Sequence, residues 1–307
     1  MNFFENCTVV ITTFFSGKKL DNCLLNIPDN FSKIVIDNGL EIKNKSYYEN
    51  KFKNLKYIIP KENLGVPRSY SHGLSLVKTR YMFTTQPDVI VKKNCIENLL
   101  EAILNYPNAA ILSPTIFHNS KYLVNGDYKI LKYKNKKFLQ QRNLFFNQAH
   151  RFPPDGDLSV DAVTGTAMLI DTLKLKNIGD WDKNIFNYYE DMDICLRLRL
   201  AGYEIVKIRK AEVDHDPFSS HDISFEEELN FSRNWHYSWS SLYFFKKHND
   251  LFFAYKLATS IFINSLIKLM FYFFINKKKF SIHFSKFLGI SSSLLGFGSN
   301  YRPFKKK

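Results

Sequence analysis

The chain has 307 residues, 45% of them apolar, and a formal net charge of +14. That suffices for one large domain, or a domain plus an appendage, around a real core. Thirteen basic residues against the single acid Asp250 fall in the last 77 positions, which leaves the first 230 near neutral and excludes a domain that grips nucleic acid along its whole length. Cys7, Cys23, Cys95 and Cys195 are scattered and form no C-x-x-C pair. Neither a zinc site nor a disulfide framework is indicated, and a reduced compartment is expected. The opening "MNFFENCTVVITTFF" lacks a basic n-region and carries the early acid Glu5, so it reads as a lead-in to a strand and not as a signal peptide.

In chain order, "TVVITTF" (8–14) reads as strand, "KKLDNCLLNI" (18–27) as helix, "KIVID" (33–37) and "LKYII" (55–59) as strands. "VPRSYSHGLSLVK" (66–78) is helical, "RYMFTTQ" (80–86) strand, "NCIENLLEAILN" (94–105) helical and "NAAILSP" (108–114) strand. Continuous apolar strands separated by helices predict an α/β fold, a Rossmann-like and mostly parallel sheet covered on both faces. Residues 116–158 are polar, basic and aromatic, with Gly126 and the pair Pro153–Pro154; a hairpin or flexible loop over one end of the sheet is expected. "VDAVTGTAMLID" (160–171) returns to strand.

Three acids, Glu190, Asp191 and Asp193, then precede an apolar run. They suit a helix from about Asp191, since acids in a first turn complement the helix dipole, with Gly202 as the C-terminal cap. They equally suit a catalytic carboxylate aimed by that helix start, and the segment alone does not decide. "YEIVKI" (203–208) follows as strand. Ligands in open α/β sheets bind beyond the carboxyl ends of the strands. Polar groups gather there: Thr12–Thr13 end the first strand, Asp37-Asn38-Gly39 the second and Gln86-Pro87-Asp88 the fourth.

The stretches "TVVITTF", "IVIDNG", "ENLGVPRSYSHGLSLVKTRYMFTTQPD", "VTGTAMLID", "IGDWDKNIFNYYEDMDICLRLRLAGYEIVKI" and "VDHDPFSS" occur in this order over residues 8–220. Together they resemble the family 2 glycosyltransferases of GT-A fold, particularly the rhamnosyltransferase-like members. The resemblance implies a nucleotide-diphosphate-sugar donor and a glycan or lipid-linked glycan acceptor. Asp37 would contact the base or ribose beside the Thr12–Thr13 backbone, and Asn63 with Gly65 would form the turn that shapes the nucleotide pocket. Asp88 would be the last acid of the D-x-D motif, binding Mg²⁺ or Mn²⁺ on the diphosphate, with His215 closing the metal site. Gln86 stands where that motif has its first acid and brings no charge. Asp191 would be the general base of an inverting displacement. Glu190 and Asp193 share a face that Asp191 does not, and would position acceptor hydroxyls or satisfy the helix end. Gly165 would let a sugar approach the backbone, or simply pack. Arg68 would face the diphosphate, or be an ordinary solvated arginine.

Beyond that core, "RNWHYSWSSLYFFKKH" (233–248) is an aromatic helix for which packing is the simplest role. In "LFFAYKLATSIFINSLIKLMFYFFINKKKF" (251–280), Lys256, Ser260, Asn264 and Lys268 recur every fourth position, and Lys277–Lys279 follow. A polar stripe opposite Leu, Ile and Phe is the pattern of a helix lying in a membrane interface with its lysines toward anionic headgroups. A soluble helix packed on the core and a spanning helix are the alternatives. The sequence thus divides into a catalytic domain over 1–245 and a basic amphipathic helical region over 246–307, expected on the inner face of the cytoplasmic membrane with no nucleic acid partner. The Q-x-x-R-W motif of processive synthases is absent, and "TTFFSGKK" matches a nucleotidyltransferase phosphate loop poorly. The competing class is a non-catalytic membrane- or RNA-binding module on a decayed transferase fold, which Gln86 would favour.

Overall fold

Seven consecutive buried residues make the central strand β1 (Cys7–Thr13), preceded by the short helix α1 (Phe3–Asn6). The structure is a computed structural model, and it describes all residues except 1–2, 120, 123–126, 129, 135–136, 141–152, 217–222, 250 and 305–307. After β1 come α2 (Lys18–Leu25), β2 (Ser32–Asp37), α3 (Ile42–Lys51), β3 (Leu55–Ile58), α4 (Gly65–Leu76), β4 (Tyr81–Thr85), β5 (Val89–Val91) and α5 (Cys95–Ala102). Next are β6 (Ala109–His118), β7 (Lys121–Tyr122), β8 (Asp127–Tyr128), β9 (Ile130–Lys134), β10 (Lys137–Gln140), β11 (Leu158–Ser159), β12 (Ala162–Val163) and β13 (Ala167–Asp171). The chain closes with α6 (Thr172–Asn177), α7 (Glu190–Leu200), β14 (Glu204–His215), α8 (Glu226–His248), α9 (Leu251–Tyr272) and α10 (Lys277–Leu294). It falls into two compact units: Met1–Ile130, Gln140–Trp181 and Asp191–Asp222 form the first, and Leu131–Leu139, Asp182–Glu190 and Ile223–Lys307 the second.

The first unit holds one sheet in the order β11-β14-β6-β13-β4-β1-β2-β3, with β5 on β14 and β7 on β6. The pairs β1–β2, β1–β4, β2–β3 and β6–β14 are parallel, as continuous apolar strands require. β13 runs antiparallel between β4 and β6. Val9, Ile11, Phe83, Leu99, Leu112 and Val206 are among the buried residues of its core, each contributing about 1.5–3 kcal/mol when fully buried. All four cysteines are free and buried.

Three differences from the sequence reading bear on function. The strand expected over 160–171 is two, because a turn at Thr164–Thr166 separates β12 from β13. The strand expected over 203–208 continues to His215, with its register shifted between Ile208 and Glu212. The three-residue β5 went unseen in the sequence and pairs with that extension, His215 opposite Val89. In the region 116–158, β9 and β10 pair with each other as a two-stranded sheet, while 141–152 lie outside the described residues. The helix of the three acids ends as expected: Gly202, at φ +86°, donates to Arg199 O, and Tyr203 N–H to Leu198 O, the Schellman arrangement.

The second unit is built on α8, α9 and α10. Gly289 of α10 lies so close to α8 that an added Cβ would stand 2.2 Å from the Trp235 carbonyl oxygen. Rings at Phe262–Phe287 and Tyr272–His283 pair α9 with α10 in antiparallel order. Tyr188 and Tyr189 both hold left-handed backbone, at φ +66° and +68°. That conformation costs a non-glycine residue about 1–2 kcal/mol, and ring contacts with Tyr237 and, for Tyr189, Phe244 hold it in place.

His236 is fully buried on α8. Its Nδ1 accepts from Ser299 Oγ (2.9 Å) and its Nε2–H donates to the Tyr301 carbonyl (3.1 Å). Burial, with Arg302 nearby, pushes its pKa down to about 3. The unfolded chain therefore binds one proton more between about pH 6.5 and 3. Stability of this unit is expected to fall as the pH drops through that window, by up to about 1.4 kcal/mol per pH unit from this residue. Urea unfolding followed from about pH 7 down to about pH 4 should show a shallower fall of stability with pH in His236→Gln; equal slopes would remove His236 as the source.

Candidate active site

The topology gathers the polar strand ends at one edge of the sheet. β1, β2 and β4 run parallel, so Thr12–Thr13, Asp37–Gly39 and Gln86–Asp88 emerge together. β13 runs the other way and starts there, with Ala167 opposite Thr85, so the turn at Gly165 adjoins Gln86. β14, parallel to β6, ends at the same edge with His215.

Asp88 and His215 meet because β5 pairs with the end of β14. Asp88 Oδ2 lies 3.6 Å from His215 Nε2, and Asp216 N–H donates to the Asp88 carbonyl (3.0 Å). The Asp88 side chain is buried, and its Oδ1 has no hydrogen-bond partner among the described residues. His118 Nδ1 lies 2.9 Å from the His215 carbonyl, and Lys19 pairs with Asp216 at 3.0 Å. A buried carboxylate oxygen without a donor suits a cation. Among the described residues no three His, Cys, Asp or Glu side chains gather as a complete metal group. The pair fits an ion shared with a substrate's phosphates better than a resident one, since Mg²⁺ commonly takes one or two carboxylates plus phosphate and water.

Asp191 stands at the start of α7. Its Oδ1 accepts from Met192 N–H (2.8 Å) and its Oδ2 from Gly165 N–H (3.0 Å). Gln86 Nε2 in turn donates to the Gly165 carbonyl at 3.4 Å. One residue, Gly165, thus bridges the 86–88 turn and the Asp191 carboxylate, accepting through its carbonyl and donating through its N–H. A Cβ at Gly165 would lie 3.7 Å from Asp191 Cβ, so the glycine leaves a methyl-sized space beside the carboxylate.

The other two acids behave differently. Asp193 is fully buried and accepts from Arg197 Nε (2.8 Å), while Arg197 also donates to the Ile178 carbonyl. It is held inside the fold by that pair. Glu190 is half-buried at the first position of α7.

At the end of β2, Asp37 is buried, with Oδ1 accepting from Gly39 N–H (2.8 Å) and Oδ2 from Tyr57 O–H (2.9 Å) and Glu41 N–H (3.3 Å). Burial raises its pKa, and those hydrogen bonds oppose the rise. Three of about four acceptor positions of the carboxylate are occupied. Asn63 Oδ1 accepts from Gly65 N–H (2.9 Å), closing the expected turn, and Gly65 sits at φ +70° where a side chain would be strained. Arg68 pairs with Glu62 at the surface (3.1 Å). Thr12 and Thr13 are buried; Thr13 donates to Ser16 Oγ (2.7 Å).

The residue passed over in the sequence is Asn38. Its amide reaches Thr12 Oγ1 (3.0 Å) and Ser69 Oγ (2.9 Å), and its carbonyl accepts from Leu64 N–H (2.9 Å). It ties β1, β2 and the start of α4 together. The only sequence signal was its place in Asp37-Asn38-Gly39, where a turn asparagine is equally expected.

The sheet order, the antiparallel β13 and the polar edge define a GT-A-like α/β fold. Residues 8–155 match the family model "Glycosyl transferase family 2". No curated protein matches the chain by sequence. Among solved structures, GalNAc-T7 with UDP, GalNAc and Mn²⁺ is similar at TM-score 0.53 and 13% identity, over 77% of this chain and 52% of that one. The present chain therefore spans about half the length of GalNAc-T7. S. aureus TarS 1-349 is similar at TM-score 0.51 and 13% identity, over 95% of this chain and 92% of that one. At such identity the likeness is one of fold. The family match bears on residues 8–155 alone, just under half of the chain.

Proposed function

We propose that this protein is an inverting, hexosyl-type glycosyltransferase, rhamnosyltransferase-like in its motifs. It moves one sugar from a nucleotide-diphosphate donor to a hydroxyl of a glycan or lipid-linked glycan. The observation that carries this reading is the relay Gln86–Gly165–Asp191, which sets a half-buried carboxylate beside the turn that bears Asp88. Asp191 takes the proton of the acceptor oxygen as that oxygen attacks the anomeric carbon. One base and one displacement give inversion. The Gly39–Asn63 region receives the nucleotide, with Asp37 and the Thr12–Thr13 backbone at its base. Asp88 and His215 would hold Mg²⁺ or Mn²⁺, which when bound neutralises charge on the departing diphosphate. The UDP and Mn²⁺ named with GalNAc-T7 agree with such a pairing.

Thermal melting with a panel of nucleotide sugars, with and without Mn²⁺, tests the donor side. At least one donor should raise the melting temperature only when Mn²⁺ is present, by about 2.7 kcal/mol of added stability at 100-fold excess over Kd. Asp88→Asn removes a charge and a ligand and should lose that dependence. If no donor shifts the transition, the non-catalytic module takes precedence.

A further inference from the structure

The second unit carries a surface the transferase reading does not use. α9 packs through small residues: Ala254, Ala258 and Ser265 are its buried positions. Most of the rest is open. Phe252, Ile263, Leu266 and Met270 are exposed and spaced three, four or multiples of a turn apart, so they share one side. At the end of the helix Phe274 is 92% exposed, with Ile275 beside it. By length and composition α9 would also serve to cross a bilayer, but the exposed Lys256 and Lys268 lie within it. A soluble core helix would not leave such an apolar strip bare.

The charge on this hairpin is all of one sign. No acid occurs after Asp250. His283 stacks on Tyr272, and Lys279 lies over the same ring at 5.1 Å. Lys268, Lys279 and Lys286 all disfavour the charged form of His283, and Lys268 that of Lys286, in each case after burial. Lys277–Lys279 form the first turn of α10, where the helix dipole already attracts anions. The hairpin thus combines a bare apolar strip with basic residues and no acid.

We propose that the α9–α10 hairpin docks in the plane of an anionic lipid surface. The apolar strip and Phe274–Ile275 enter the acyl boundary, and the lysines meet headgroup phosphates. This inference is independent of the chemistry assigned to Asp191 and Asp88.

Flotation of the full-length protein with phosphatidylcholine vesicles, with and without phosphatidylglycerol, is the test. Wild-type protein should float with the anionic vesicles. Replacing Lys277, Lys278 and Lys279 by Gln should weaken that partition on the order of 100-fold. The double variant Ile263→Asp, Phe274→Asp should lose it, with unchanged far-UV circular dichroism. Wild-type protein that stays with the pellet overturns the proposal. So does self-association through the same strip without flotation, or RNA binding that depends on the lysines but not on Ile263 and Phe274.

Discussion

Replacing Asp191 by Asn is expected to lower turnover by about 10²–10⁴-fold, the range over which a positioned general base acts. Donor affinity should change little, because no contact assigned to the nucleotide involves this side chain. Asn keeps the shape but not the basicity, and one of the two N–H groups, Gly165 or Met192, then faces an amide NH₂. About 1–3 kcal/mol of stability is at stake there, so melting must be measured beside activity. Gly165→Ala is the companion variant. Its methyl fits the space beside Asp191 at ordinary contact distance, so the fold should survive while any sugar that needs that space is turned away. Equal loss of donor binding and turnover in Asp191→Asn would remove the base from position 191.

Gly289→Ala is expected to destabilise the second unit by about 3 kcal/mol, the upper end of overpacking costs. The added methyl would meet backbone, the Trp235 carbonyl carbon and oxygen at 2.9 and 2.2 Å, and backbone cannot step aside as a side chain tip can. α10 must therefore lift from α8, and the lift reaches bonds on the neighbouring turns: His236 to Ser299 and Tyr301, and Trp239 Nε1–H to the Phe297 carbonyl. For a unit of this size a drop of roughly 12–24 °C in its melting temperature is expected, followed by tryptophan fluorescence from Trp235 and Trp239. Ser285→Ala, one helical turn away and also buried, should do far less. Equal melting of wild type and Gly289→Ala would mean that the two helices do not meet as described.

The strands of the parallel half were legible because β1, β2 and β4 are apolar runs with turn residues at their ends. What escaped reading depended on contacts distant in sequence. β5 is three residues long and carries no period. The polar Arg209–Lys210 hid the continuation of β14, since only pairing with Thr115–Phe117 and β5 extends that strand to His215. The turn at Gly165 looked like more strand because Thr164 and Thr166 favour strands. Helical spacing set Asp193 on another face from Asp191 but left its role open; its buried pair with Arg197 needed the folded chain to be seen. The lysine stripe of α9 was plain, but its packed side was not the large apolar one. Ala254, Ala258 and Ser265 meet the neighbouring helices, and much of the Leu, Ile and Phe is left outside.

Gly165, which stands between Gln86 and Asp191, has a kinetic meaning on the proposed reading. At 3.4 Å the amide of Gln86 holds the Gly165 carbonyl with slack. A sugar nucleotide that seats against the 86–88 turn draws on that slack and sets the carboxylate at the far end. The acceptor then finds its proton partner aligned only after the donor has arrived, so substrates should enter in compulsory order, with the free nucleoside diphosphate competing against the donor alone.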